Sequence, residues 1–294
     1  MTSTQQPDAA RLMRLATYAS VSVATILIVA KLVAWFITDS ISILATLIDS
    51  SLDVLASLLN LVAVHHALQP ADREHSFGHG KAEALAGMGQ AMFIAGSAGL
   101  LLLQAVGRIF HPQAVSAGLE VGVSVMVFSM VATMLLILFQ KYVIRHTNST
   151  AIKADALHYK TDLLVNGSVI VALLLTFYGW SHFDAIFGIG IAIFILYSAW
   201  DIVRESIDLL MDHELPDEVR EKIKTILSNH PEAHGFHDLR TRRSGTTVFI
   251  QLHLELDASL RLSEAHRIAD QVERELESLF ADAEVIIHED PVIV

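Results

Sequence analysis

The chain has no cysteine. That excludes a disulfide framework, a thiolate zinc site and a thiol nucleophile. Charge is scarce as well. Only 18% of the 294 residues are Asp, Glu, Lys or Arg, against about 25% in an average soluble domain. A soluble enzyme of this length would lack the polar groups to cover its surface, so most of the chain is expected in lipid. Proline occurs six times, at Pro7, Pro70, Pro112, Pro216, Pro231 and Pro291, and never inside a long apolar run. There is no GxxxxGK loop, no HExxH and no kinase signature. ATP-driven chemistry and proteolysis therefore have no visible basis, no nucleotide is expected, and the energy for any work should come from an ion gradient. A net charge of −12 argues against nucleic acid and leaves cations as partners.

What the chain does have is apolar sequence in six runs, approximately 15–37, 43–66, 84–106, 118–142, 153–178 and 183–205. Each is long enough to cross roughly 30 Å of hydrocarbon as a helix. The first run is too long for a signal peptide's core, contains Lys31 and lacks a small-residue cleavage site, so it reads as a span. One set of loops carries Arg11, Arg14, Arg73, Lys81, Lys141, Arg145 and Lys153, and the opposite set carries only Arg108. That asymmetry predicts both termini in the cytoplasm.

The composition changes at residue 213. The last 82 residues hold 9 basic and 17 acidic side chains, which marks a different solvent. A helix is predicted over 217–228, strands over 236–242 and 246–256 with Ser244-Gly245 at the turn, a second helix from Ser263, and a short strand over 284–288. In the second strand Val248, Ile250, Leu252, Leu254 and Leu256 face one way, and Phe249, Gln251, His253 and Glu255 face the other. The expected fold class is an all-α six-helix transmembrane domain (1–212) followed by a small cytoplasmic α+β domain (213–294). Its αββαβ order is ferredoxin-like or metallochaperone-like. So small a core favours dimerisation.

Acids stand where lipid should exclude them. Asp at the centre of a membrane helix costs about 2.5–3.5 kcal/mol. The second run nevertheless holds Asp49 and Asp53, and the fifth holds His158 and Asp162. Each pair is spaced i, i+4 and shares a helix face. If the two faces meet, three carboxylates and one imidazole converge, a set that suits a tetrahedral divalent ion with zinc the leading choice. Empty, such a site collects protons. Metal must expel them, because ligands bind deprotonated. Asp155, one turn away, reads as either path-lining or surface, and Asn60 and Asn166 as packing hydrogen bonds.

Two further clusters draw on the 15 histidines. The loop after the second run offers Asp72, His75 and His79 as three ligands, with Gly78 and Gly80 letting it fold around an ion. The tail offers His237, His253, His266, His288 and Asp290, enough for one or two ions.

Six spans, Asp49-xxx-Asp53, His158-Tyr-Lys-Thr-Asp162, the Asp72 to Lys81 loop, His237-Asp-Leu-Arg-Thr-Arg and a tail ending Ile-Ile-His288-Glu-Asp290-Pro together resemble the cation diffusion facilitator family. Within it they are similar to a bacterial branch of zinc/proton antiporters. The resemblance implies a homodimer in the bacterial inner membrane that exports zinc, with cadmium and ferrous iron as further candidates, against protons by alternating access. It implies that Asp49, Asp53, His158 and Asp162 form the transport site, and that Asp72, His75 and His79 form a loop site. It further implies a binuclear tail site of His237, His253, His266, His288 and Asp290, with Glu289 where Gln is expected. It also implies an inter-domain charge pair between Lys81 and Asp212. Three rivals stay open at this point. A passive metal channel would show no proton counterflow, a membrane metalloenzyme would have to work through Asp72, His75 and His79, and a metal receptor would not transport.

Overall fold

The computed structural model describes residues 6–38, 41–110, 120–177 and 183–293. Within them, 6–8, 38, 41–45, 48–49, 108–110, 120–123, 169–177 and 183–185 are described by backbone alone. Six long helices come first: α1 (Gln6–Thr38), α2 (Ile41–Ala67), α3 (Lys81–Phe110), α4 (Glu120–Thr147), α5 (Thr150–Phe177) and α6 (Phe183–Leu210). A mixed module follows: α7 (Asp217–Asn229), β1 (Gly235–Ser244), β2 (Thr247–Asp257), α8 (Leu262–Glu277) and β3 (Ala283–Val292). The order is the αββαβ expected. β3 runs from 283 to 292 rather than 284 to 288, because it pairs with β2 along its whole length.

The chain divides into two compact units. Of the described residues, one holds those within 11–69 and 82–207, and the other holds those within 6–10, 70–81 and 208–293. In the helical unit, small residues let the helices approach closely. Ala91, Ile94 and Ala98 of α3 pack with Ala154 and Leu157 of α5 and with Ile195, Ala199 and Ile202 of α6. Large apolar side chains such as Phe36, Leu103 and Leu135 point outward instead, as lipid permits and water does not. Among the described residues, four helices are long and apolar enough to cross a membrane: Ala9–Ile37, Lys81–Gly107, Ser124–Thr147 and Ile186–Leu210. The other two, α2 and α5, are those that carry the acidic pairs. The turn from α4 to α5 is tight. Asn148 takes a positive φ of 51°, and the Ser149 hydroxyl accepts the Ile152 N–H at 3.2 Å to start α5.

In the second unit the sheet order is β1-β2-β3. β1 and β2 are antiparallel, β2 and β3 parallel, and α8 supplies the crossover that parallel strands need. The alternation in β2 is realised: Val248, Ile250, Leu252, Leu254 and Leu256 are buried with Ile268, Val272 and Leu276 of α8. Phe249 lies on the other face, as its parity requires, and is buried there as well. Phe77 of the 70–81 loop covers it with ring centroids 6.0 Å apart, and the Arg242 guanidinium sits 4.1 Å from its ring centre. The loop thus belongs with this unit. Gly80 shows how closely: a Cβ there would lie 2.5 Å from the Ser244 backbone at the β1–β2 turn.

Candidate metal centres

The helical unit brings Asp53 of α2 to His158 and Asp162 of α5. His158 Nε2 lies 3.1 Å from Asp53 Oδ1 and 3.9 Å from Asp162 Oδ2. Ligand atoms of the three fall within 4.8 Å of one another. Asp49 is one turn earlier on α2, and its side chain lies outside the described residues. His158 is 7% exposed, so its imidazole is taken out of solvent and set against two carboxylates. Its neighbour fixes the helix: the Tyr159 hydroxyl lies 2.7 Å from Ser57 Oγ of α2 and donates to the Ser20 carbonyl of α1 at 3.2 Å. This junction was not read from sequence, although a Tyr directly after the ligand His was the available signal.

Asp155 is not at the surface, since it is fully buried. Three helices supply neutral donors to it: Ser20 Oγ at 2.5 Å, Gln140 Nε2 at 2.7 Å and Gln90 Nε2 at 3.2 Å. A buried carboxylate is tolerated when its lone pairs are filled in this way. Asn60 also departs from expectation. It is 3% exposed, and its amide atoms make no hydrogen bond among the described residues. It lines an apolar cavity of about 640 Å³ between α2 and α3 with Leu55, Leu59 and Phe93.

The loop cluster closes on itself. Asp72 Oδ1 accepts the backbone N–H groups of Glu74 at 2.9 Å and His75 at 2.7 Å, while Oδ2 lies 3.4 Å from His79 Nε2. The His75 and His79 rings are 4.6 Å apart. Those backbone donors, above all the His75 N–H, hold the Asp72 carboxyl below its ordinary range. All three ligands stay close enough to share an ion, and Gly78 takes the positive φ of 78° that the turn requires. Lys81 pairs with Asp212 at 3.0 Å, and Arg242 shares the same carboxylate at 3.3 Å. The resemblance implied a pair between domains. Both partners instead belong to one compact unit, because the loop folds with the tail.

In the tail, strand register builds the site. His237 pairs with His253 across β1–β2, and His253 pairs with His288 across β2–β3. The three imidazoles form one row, with ring centroids 4.9 and 4.6 Å apart. Asp290, two residues beyond His288 on the same face, reaches His253 Nδ1 at 2.8 Å, His237 Nε2 at 3.1 Å and His288 Nε2 at 3.4 Å. The hydrogen bond with His253 is the main cause that lowers the Asp290 carboxyl from its ordinary value. His266 does not join this group. It stands on α8, where it faces Asp270 at 3.7 Å and Glu289 at 3.9 Å. Glu289 alternates away from His288 and Asp290, toward the α8 side, so His266 and the row occupy opposite faces of the sheet. A bulge between His237 and Arg240, with Asp238 at φ 51°, interrupts β1 beside the row.

A family model for the cation efflux transmembrane domain matches residues 17–211, and one for the cytoplasmic domain of cation efflux proteins matches residues 215–292. The chain is 49% identical to the cation-efflux pump FieF of Pectobacterium atrosepticum, over 97% of this chain and 95% of that one. It is also 49% identical to the FieF pump of Klebsiella pneumoniae, over 96% and 93%. Among solved structures, the metal-bound C-terminal domain of the CzcD transporter from Thermotoga maritima is 31% identical. That match covers 25% of this chain and 87% of that one, with a TM-score of 0.24.

Proposed function

The chain belongs to the cation efflux family of membrane transporters, and from that premise we propose that it is a zinc/proton antiporter. It is a transporter of divalent metal cations rather than an enzyme. The observation that carries the finer reading is the buried imidazole of His158, 3.1 Å from Asp53 and 3.9 Å from Asp162, between helices that should bury no charge. Three oxygen and nitrogen donors at this spacing suit zinc, and Asp49 supplies the fourth.

Zinc enters from the cytoplasm, binds Asp49, Asp53, His158 and Asp162, and displaces protons from them. α2 and α5 then shift so that the site opens outward. Protons arriving at His158 Nε2 or a carboxylate weaken the site, and the metal leaves. The cycle runs on the different affinities of the two facing states. Both termini lie in the cytoplasm, the membrane is the bacterial inner membrane, and all six helices cross it. The protein works as a homodimer joined through residues 213–294. His237, His253, His288 and Asp290 hold a zinc ion that supports this module, and Asp72, His75 and His79 hold another. Three imidazoles with one carboxylate fit zinc in the tail, since that set is borderline in softness and can close a tetrahedron.

The test is zinc flux into proteoliposomes under an imposed pH gradient. Asp53→Ala abolishes proton-coupled flux while the protein still folds. Flux that survives the substitution defeats the site assignment, and flux without proton counterflow makes the protein a channel.

A further inference from the structure

Lys31 is the one charged side chain of the first apolar run, and the transport cycle above gives it no task. An ionised group inside a membrane helix is costly and marks a functional site by default. A lysine near a helix end ordinarily relieves that cost by reaching toward the headgroups. Lys31 instead turns onto α2. Its Nζ donates to Ser50 Oγ at 2.6 Å and to the Thr46 carbonyl at 3.3 Å.

The place where it lands matters. Thr46, Ser50, Asp53 and Ser57 follow one another along α2 at steps of four, three and four residues, so they form a single stripe on one face of the helix. Ser50 and Ser57 are fully or almost fully buried. Ser57 holds Tyr159, which is bonded in chain to the ligand His158. Ser50 holds Lys31, three residues before the ligand Asp53. That separation along the helix is about 4.5 Å. A cation that never leaves is thus anchored to the ligand-bearing helix within one turn of a ligand.

We propose that Lys31 is a charge-setting residue of the α2–α5 metal site, a tethered cation that keeps the site's affinity for a dication low enough for release. This rests on the antiporter reading. An acid-rich pocket in a medium of low dielectric binds a dication tightly, and a binder that holds its cargo too long turns over slowly. A fixed positive charge held on Ser50, within one helical turn of Asp53, repels the arriving metal and offsets part of that attraction. It does so without acting as a ligand, so it lowers affinity and leaves the coordination set intact.

The experiment measures KM and kcat for zinc in proteoliposomes for wild type, Lys31→Gln, Lys31→Arg and Ser50→Ala, with Asp53→Ala alongside. Lys31→Gln is expected to lower KM about tenfold and to lower kcat as well, since tighter binding slows release. Lys31→Arg, which keeps the charge, restores both values toward wild type. Ser50→Ala leaves the lysine present but unanchored, and is expected to lower KM by a smaller factor, about threefold. If Lys31→Gln does not reach the membrane, the Ser50→Ala value decides. Wild-type KM in Lys31→Gln, or in Ser50→Ala when only that variant folds, overturns the inference. So does a fall in kcat with KM unchanged that Lys31→Arg fails to restore, because that pattern belongs to helix packing alone. Asp53→Ala separates the two claims. Transport that survives it defeats the metal site itself, whereas a silent Lys31→Gln beside an inactive Asp53→Ala defeats only the role given to Lys31.

Discussion

Asp155 shows what a single buried carboxylate can organise. Its oxygens receive Ser20 of α1, Gln90 of α3 and Gln140 of α4, so one side chain of α5 ties four helices. Removing it leaves the half-buried Gln90 amide without this acceptor, whereas Ser20 still donates to the Ala16 carbonyl at 3.0 Å and Gln140 to Ser20 Oγ at 3.0 Å; one orphaned donor costs about 1–3 kcal/mol. Asp155→Ala is therefore expected to cost roughly 1–3 kcal/mol, read as a lower thermal midpoint of the full chain in detergent. Asp155→Asn keeps one acceptor oxygen and should lose less. Equal midpoints for wild type and Asp155→Ala would show that the network carries no stability. The sequence offered the acid and two glutamines in apolar runs, each an anomaly by itself. Their meeting depends on how four helices turn about their axes, which a linear pattern does not record. By contrast, Asp53, His158 and Asp162 were legible one by one, because i, i+4 spacing and the cost of burial both single them out.

At the level of elements, β2 is where pattern and structure agree best. Its alternate residues Val248 to Leu256 were assigned to one face from parity alone, and that face is the core. Parity also put His253 on the opposite face. It could not say that His237 and His288 would be its lateral neighbours, because register is set by pairing with strands distant in sequence. The same limit explains His266, which composition grouped with the other histidines and which the crossover helix carries to the far side. The loop of residues 70–81 is the element most dependent on one small residue. A side chain at Gly80 would collide with the backbone of Ser244 at 2.5 Å, and a backbone atom cannot swing aside as a flexible side chain can. Gly80→Val is expected to push the loop off the β1–β2 turn and to displace His79, the buried member of its cluster. Equilibrium dialysis should then find less zinc bound per chain than in wild type. Undiminished binding would mean that the loop cluster forms without this seat.

The whole molecule is a chain in two solvents, and its uneven charge announced that before any motif did. One unit leaves Phe36, Leu103 and Leu135 facing outward. The other buries a core of ordinary soluble character around Ile250, Leu254 and Val272. The boundary is not a single cut in sequence, since residues 70–81 fold with the tail although they are flanked by the helical unit. A small module gains stability from any ion that binds only its folded form, by about 2.7 kcal/mol at a hundred times Kd. Zinc is thus expected to raise the unfolding midpoint of the tail unit in the full chain, and a chelator to reverse it. The rise should shrink in a chain carrying His237→Ala and Asp290→Asn. A zinc-dependent rise of wild-type size in that double variant would assign the effect to another centre.

The histidine row has one more implication. Side chains along a strand alternate between its two faces, so sliding any of the three tail strands by a single position would swing its imidazole to the side occupied by α8. Only the native alignment assembles the cluster around Asp290. An ion captured there proofreads the sheet, rewarding the correct pairing and no other.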